Sequence, residues 1–216
     1  MMKTRYMILG LLLVLGANVY SQEAPAVFKT NEFKIGLKTG RTFFTNPEEL
    51  GGLSTHVFYG QVSAEYGVCR NNNVYYGAGI GGEYFDLLDA KISIPIFADL
   101  RYYFTGDAQK GAFLEVQAGY AFCSNQTFPI NETHDGNEIL VGQIVRKMSG
   151  PYGEISIGYR TQRFDFQVGY GYRAVNYTRT NYANPYNHGL NEQSFFKPMH
   201  TFMARVGYSL LRDIPH

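Results

Sequence analysis

The chain has 216 residues, and its 19 basic and 18 acidic side chains leave a net charge of +1, which gives no electrostatic reason to expect nucleic-acid binding. With 18 Tyr, 16 Phe, 24 Gly and only 17% charged residues, the composition is typical of an all-β protein. Beyond residue 21 no run approaches the ~20 apolar residues of a transmembrane helix, so a helical membrane protein is not expected.

The N-terminus has the pattern of a secretory signal peptide. Lys3 and Arg5 precede an apolar run, Met7–Gly16, which is too short to span a bilayer. Ser21 is small enough to precede the cleavage site, and an uncleaved anchor is the alternative. The predicted organisation is a signal peptide at 1–21, an N-terminal leader at 22–32 and one barrel domain at 33–216.

Alternation with a period of two residues predicts strands through most of the remaining chain. In Ile92–Phe104, for example, Ile94 and Ile96 lie on one face, and Asp99 and Arg101 lie on the other. The eight predicted strands are Phe33–Phe44, Thr55–Arg70, Val74–Phe85, Ile92–Phe104, Ala112–Cys123, Tyr152–Thr161, Phe164–Thr178 and Met199–Leu211. Because charges and glycines share one face while aromatic and aliphatic residues share the other, we expect a wall between lipid and a narrow polar lumen.

The connections between these strands alternate in length. Those after the second, fourth and sixth strands are short, whereas Ser124–Gly150 and Arg179–Lys197 are long. Outer-membrane barrels have short periplasmic turns and long extracellular loops, so this alternation predicts a periplasmic N-terminus. Within the first long loop, Glu138–Lys147 is expected to pair with Phe128–Asn131 as a hairpin beyond the membrane, and a place in the wall is the alternative.

Six acids and six bases fall on the face predicted to line the lumen. They are Lys34, Lys38, Glu65, Glu83, Asp99, Arg101, Glu115, Glu154, Arg160, Asp165, Arg173 and Arg205. Side chains fill the interior of an eight-stranded barrel, and buried charges must be paired. A salt-bridged plug is therefore predicted, with a small ion channel as the alternative.

The motifs IPIFADLRYYF (94–104) and GAFLEVQAGYAF (111–122), together with the signal peptide and the eight alternating strands, resemble small outer-membrane β-barrel proteins of the OmpA/OmpX type. The composition, rich in Tyr, Phe and Gly, is similar to that of barrels from Bacteroidota. The resemblance covers about residues 33–211. It implies an all-β fold, an eight-stranded antiparallel up-and-down transmembrane β-barrel, in the outer membrane of a Gram-negative bacterium.

Candidate catalytic and metal-binding residues are sparse. Ser54 and His56 could form a nucleophile–base pair, and His200 lies at the same predicted rim. No carboxylate is spaced to orient either histidine, so an outer-membrane enzyme acting on lipid A is kept only as an alternative. No metal site and no cofactor are predicted. Cys69 and Cys123 are predicted at opposite ends of the barrel, too far apart for a disulfide.

The predicted function is structural or surface-binding, through the extracellular loops. Outer-membrane lipid and lipopolysaccharide are the expected surroundings of the wall, and an extracellular protein or glycan is a possible ligand. Tyrosine and asparagine on an exposed loop suit such recognition. The candidate binding residues in the second long loop are Asn181, Tyr182, Tyr186, Asn187 and His188.

Overall fold

The computed structural model describes residues 29–45, 54–71, 73–86, 91–106, 108, 110–134, 137–181 and 191–212. The predicted signal peptide at 1–21 lies outside these residues, as do Tyr182, Tyr186, Asn187 and His188. Among the described residues, no helix is both long and apolar enough to cross a bilayer.

The described residues form twelve β-strands. Their bounds are β1 Lys29–Thr45, β2 Ser54–Arg70, β3 Val74–Phe85, β4 Lys91–Tyr103, β5 Lys110–Cys123, β6 Gln126–His134, β7 Asn137–Lys147, β8 Gly150–Thr161, β9 Phe164–Arg173, β10 Asn176–Asn181, β11 Asn191–Phe196 and β12 Met199–Arg212. Eight of them close into a barrel in the order β1-β12-β9-β8-β5-β4-β3-β2. Every wall strand is antiparallel to its neighbours, so the predicted eight-stranded up-and-down barrel is confirmed.

The wall is apolar on the outside and polar on the inside. Ile92 and Val168 point outward and are 69% and 61% exposed, whereas Arg101 and Arg160 point inward and are 0% exposed. Successive side chains of a strand point to opposite faces, so the period-two pattern separates these two groups strand by strand. The arrangement is the reverse of a water-soluble barrel, whose apolar side chains fill the interior.

The short connections are tight turns that lie at one end of the barrel, here called the turn end. Asn71 and Gln162 adopt positive φ angles of 50° in two of them, and Gly106 has a φ of 66° in the third. Ala108, from the turn between β4 and β5, is fully buried among Tyr75, Tyr103 and other residues of the lumen. Ala108 therefore lies over the barrel opening.

A second sheet stands at the opposite end, called the loop end. It has the order β11-β10-β7-β6 and is named the loop-end sheet below. The β6–β7 pairing contains the hairpin predicted from Glu138–Lys147, although both of its strands are longer than the predicted segments. The register from Asn176↔Lys147 to Asn181↔Gly142 joins β10 to β7, so the two long loops form one sheet.

Two predicted boundaries need correction. The seventh wall strand was predicted to reach Thr178, but it ends at Arg173, and the next six-residue strand belongs to the loop-end sheet. The chain leaves the wall at Ala174, whose N–H bonds to the carbonyl of Pro151 at 3.1 Å. The leader was predicted to end at residue 32, but β1 starts at Lys29 because residues 29–32 continue its pairing with β2 as far as Lys29↔Arg70.

Candidate functional site

The centre of the lumen is organised around Arg101. Its guanidinium contacts Glu65 and Asp99 at 3.2 Å, and it also contacts Glu115. A fourth carboxylate, Asp165, accepts a 2.6 Å hydrogen bond from Nη1. Arg205 reaches the same carboxylates from β12, bonding to Glu65 and, at 3.1 Å, to Glu115. These contacts tie non-adjacent strands of the wall together across the interior.

A second ionic layer lies towards the turn end. Arg160 bonds to Glu32 and donates to the hydroxyl of Tyr103 at 3.0 Å. Lys34 Nζ lies 3.7 Å from Glu32 and 3.4 Å from the centre of the Tyr75 ring. An apolar cluster then closes this end of the lumen. It consists of Cys69, Tyr75, Tyr103, Ala108 and Phe113.

A third layer lies towards the loop end. Lys38 pairs with Glu154, and its Nζ lies 3.4 Å from Oε1 of Gln117. Arg173 pairs with Glu83 and donates to Ser93 at 3.4 Å. The two ion pairs connect β1 to β8 and β9 to β3, again across the lumen.

The loop-end sheet covers the second opening with an apolar cap. Side chains of the loop-end sheet and its connections, including Ile144, Met148, Val175 and Tyr177, pack against residues of the barrel rim such as Phe44. Arg146 lies within this cap, 4.6 Å from the Phe44 ring and 5.4 Å from the Tyr177 ring, and donates to Gln126 at 3.2 Å. Burial lowers the pKa of the Arg146 guanidinium and raises the pKa of the Tyr177 phenol, and each partly offsets the effect on the other.

All twelve lumen charges predicted from the sequence lie inside the barrel, and each is paired with an opposite charge. In addition to the contacts described above, Arg160 lies 3.4 Å from Asp165. Sequence reasoning missed Glu32, which it had assigned to the leader. Its alternation with Lys34 was the available signal. With Glu32 included, the described lumen holds seven acids against six bases.

The interior is filled by side chains rather than by open space. One cavity, beside Lys38 and Glu154, holds only about 10 Å³, and a second below the loop-end cap has the same size. Each has room for about one water molecule. With ion pairs in three layers and an apolar cluster at each end, the described residues can hold a rigid wall together and leave no wide aqueous path between them.

The residues considered for catalysis belong to wall strands at the loop end. Ser54 and His56 both lie near the start of β2, where Ser54 pairs with Thr45 and His56 with Phe43. The His56 ring packs edge-on against Phe43 at 4.8 Å. His200 Nδ1 lies 2.5 Å from the hydroxyl of Tyr170. In the part of the chain that the structure describes, no carboxylate bonds to either imidazole and no group of three metal-binding side chains occurs.

The predicted surface-binding residues are only partly described. Asn181 ends β10, and its side-chain oxygen accepts a 2.9 Å hydrogen bond from Arg179. The edges of the loop-end sheet are β6 and β11, and Phe196 on β11 is about half exposed. Cys69 and Cys123, both described, form no disulfide with each other and lie near opposite ends of the barrel.

Comparisons with known proteins give structural similarity alone. No protein-family model matches the chain, and no curated protein matches it. The chain is similar to Neisserial surface protein A with a TM-score of 0.44 and 14% identity, over 82% of this chain and 97% of that one. It is also similar to the N-terminal β-barrel domain of Pseudomonas aeruginosa OprF, with a TM-score of 0.39 and 13% identity, over 82% and 97%.

A third similar structure is the outer membrane protease OmpT from Escherichia coli, with a TM-score of 0.35 and 9% identity, over 87% of this chain and 99% of that one. At these levels of similarity, the fold assignment comes from the strand pairing described above.

Proposed function

We propose that this protein is an outer-membrane β-barrel of a Gram-negative bacterium, with a structural or surface-binding role that it performs through the loop-end sheet. The observation that carries the proposal is the inverted wall, in which aliphatic and aromatic side chains face outward and paired charges face inward. In water such an outer surface would drive aggregation, whereas in a bilayer it is the favourable arrangement.

The filled lumen supports a role other than transport. A pore needs a continuous polar path, but here Arg101 and Arg160 are fully buried among their carboxylates. Each barrel opening is also covered, by Ala108 with its neighbours at one end and by the loop-end cap at the other. Buried, mutually bonded charges favour a single rigid arrangement over one that conducts.

The loop-end sheet is the part of the molecule best suited to contact an extracellular protein or glycan. Two loops that could have been independent are joined through β7 and β10, which holds their exposed residues in fixed positions. A rigid binding surface loses less conformational entropy on association than a flexible loop does. Tyr, Asn and Thr in these hairpins supply the adaptable polar contacts of recognition surfaces.

No catalytic role is proposed. A Ser–His nucleophile needs a base that a carboxylate orients towards the serine, whereas His56 packs against Phe43 and His200 contacts the Tyr170 hydroxyl. The cations of the lumen are held by carboxylates, and the cavity that the described residues form beside Lys38 is far smaller than a substrate.

Two measurements test the proposal separately. Membrane insertion as a barrel predicts that the boiled and unboiled protein from the outer-membrane fraction migrate differently on a gel, and identical mobility would count against it. Surface binding is tested by replacing residues 176–196 with a short turn and comparing intact cells on arrays of glycans and extracellular proteins.

The matched control for the array experiment is an insertion at the turn formed by Asn71 and Asn73, at the opposite end of the same barrel. We expect the loop-end replacement to abolish a signal that the turn-end insertion leaves unchanged. If both variants retain wild-type binding, the surface-binding role is wrong and only a structural one is left.

A further inference from the structure

Among the wall side chains that the structure describes, Arg41 is the one outward charge away from the turn-end rim. The other outward cations of this set, Arg70 and Lys110, lie at the turn end, and the set includes no outward carboxylate within a wall strand. Arg41 lies between Phe58 and Phe202 in the register of β2, β1 and β12. An arginine on a lipid-facing surface is costly unless an anionic partner is available to it.

Two histidines lie one pleat nearer the loop end. Phe43 pairs with His56 on β2 and with His200 on β12, so one phenyl ring separates two imidazoles at the same height of the wall. Neighbouring strands are ~4.8 Å apart and alternate residues ~7 Å apart, so Arg41, His56 and His200 surround a patch about 10 Å across. A guanidinium can extend along the wall to the level of the imidazoles.

Both imidazoles are held in place by aromatic neighbours. The His56 ring is perpendicular to Phe43, with the ring centres 4.8 Å apart. The Tyr170 hydroxyl is 2.5 Å from His200 Nδ1, and the Tyr172 ring lies 5.7 Å from the His200 ring. When the phenol donates to Nδ1, the imidazole proton resides on Nε2, which can then donate to a ligand.

Of the carboxylates that the structure describes, the nearest outward one does not neutralise this patch. Asp86 follows β3, and its backbone N–H bonds to the carbonyl of Phe58 at 3.0 Å, which places Phe58 between Asp86 and Arg41. No described carboxylate pairs with Arg41. In the described residues, the patch therefore has three donor side chains within an apolar and aromatic surface and one acid beyond its edge.

We propose that Arg41, His56 and His200 bind the phosphate group of a glycolipid in the outer leaflet, with acyl chains packed on Phe58 and Phe202. This inference rests on the proposed membrane location. Guanidinium groups match phosphate oxygens with two parallel hydrogen bonds, and an interface of low polarity strengthens them. An acyl chain also explains why the cation is flanked by two exposed phenyl rings, which are 54% and 59% accessible.

The test uses the refolded protein in detergent and native mass spectrometry. The probes are lipid A carrying both phosphates, the same lipid A after enzymatic dephosphorylation, and inorganic phosphate. The variants are R41Q, the double variant H56Q/H200Q and, as a matched control, R70Q, which removes an outward arginine at the opposite rim.

We expect R41Q to bind phosphorylated lipid A about tenfold more weakly, as the loss of one charge-assisted hydrogen-bonded contact implies. H56Q/H200Q is expected to lie between R41Q and wild type, and R70Q to match wild type. Dephosphorylated lipid A is expected to bind all four proteins equally weakly. Inorganic phosphate is not expected to compete, because it lacks acyl chains.

Equal binding by R41Q and R70Q would overturn the proposal, as would equal affinity for the two forms of lipid A. If inorganic phosphate competed at equal concentration, the site would bind free phosphate rather than the phosphate group of a lipid. Heat-modifiable mobility is measured for every variant. If every variant shows the gel shift on boiling but none prefers phosphorylated lipid A, only the lipid site is rejected. If the wild-type protein shows no gel shift on boiling, the barrel itself is rejected.

Discussion

Arg101 on β4 donates a 2.6 Å hydrogen bond to Asp165 on β9. These two strands lie on different sides of the barrel, with β5 and β8 between them. Three further carboxylates contact the same guanidinium. Arg101 is therefore the residue whose removal should expose the energetics of the lumen most clearly.

The change Arg101→Ala should destabilise the barrel by about 3–5 kcal/mol, because it leaves buried carboxylates without their cation. The measurement is urea unfolding in lipid vesicles. Arg163→Ala is the control, since Arg163 lies exposed in the turn after β8 and should change stability by less than ~0.5 kcal/mol. Equal effects of the two changes would mean that the central ion cluster does not stabilise the fold.

Asp99→Asn should not lower the free energy of unfolding, unlike the other substitutions of charged residues in the lumen. The described lumen has one carboxylate more than it has cations, and the charged contact of Asp99 is with an Arg101 that already serves three other acids. Removing this charge relieves repulsion, so the unfolding free energy should stay the same or rise. Glu65→Gln, which weakens contacts to both Arg101 and Arg205, should lower it by roughly 2–4 kcal/mol. A larger loss for Asp99→Asn than for Glu65→Gln would contradict this account.

The purified protein should produce no conductance steps in planar bilayers. Ion pairs fill the lumen at three levels, and the residual cavity beside Lys38 holds about one water molecule. A variant with residues 176–196 replaced by a short turn should also be silent, because the turn-end cluster and the central ion pairs are unaffected. Stable steps from either protein would show that the lumen opens.

Tyr177→Ala should loosen the loop-end sheet without changing the wall. The Tyr177 ring stacks on Phe195 with centres 5.3 Å apart and planes 2° apart, and it is fully buried in the loop-end cap. Removing a buried aromatic ring costs about 3–5 kcal/mol, which should appear as faster hydrogen exchange at the amides of β7 and β10. Thr180→Ala, on the same strand, is the control and should leave exchange unchanged. Faster exchange throughout the barrel would mean that the cap is not a separate unit.

Much of the wall could be predicted from the sequence because each strand carries its own period-two pattern. Asp99 and Arg101 alternate with Leu100 and Tyr102, and this local pattern assigns all four to their faces. Contacts such as Arg101 with Asp165 could not be predicted, because they depend on how the barrel closes between residues 64 positions apart.

The loop-end sheet shows the same limit. The β10 segment, NYTRTN, has Tyr177 as its one aromatic residue and lacks an apolar alternating face, so nothing local marks it as a separate strand, and its first half falls within the predicted wall strand that reaches Thr178. It becomes one by pairing with β7 and β11, which are separated from it in the chain. Glu32 lies outside the predicted strand for a different reason, because the first clear apolar alternation starts only at Phe33.

Fluorescence quenching tests whether lipid surrounds the wall but not the loop-end sheet. The chain contains no Trp, so each introduced Trp is the only one. Val168 on the wall and Leu140 on the loop-end sheet are 61% and 52% exposed, which makes Val168→Trp and Leu140→Trp a matched pair. In vesicles of lipid brominated in the acyl chains, we expect strong quenching of Val168→Trp and little quenching of Leu140→Trp. Equal quenching of the two, or none of either, would contradict the inverted-wall account.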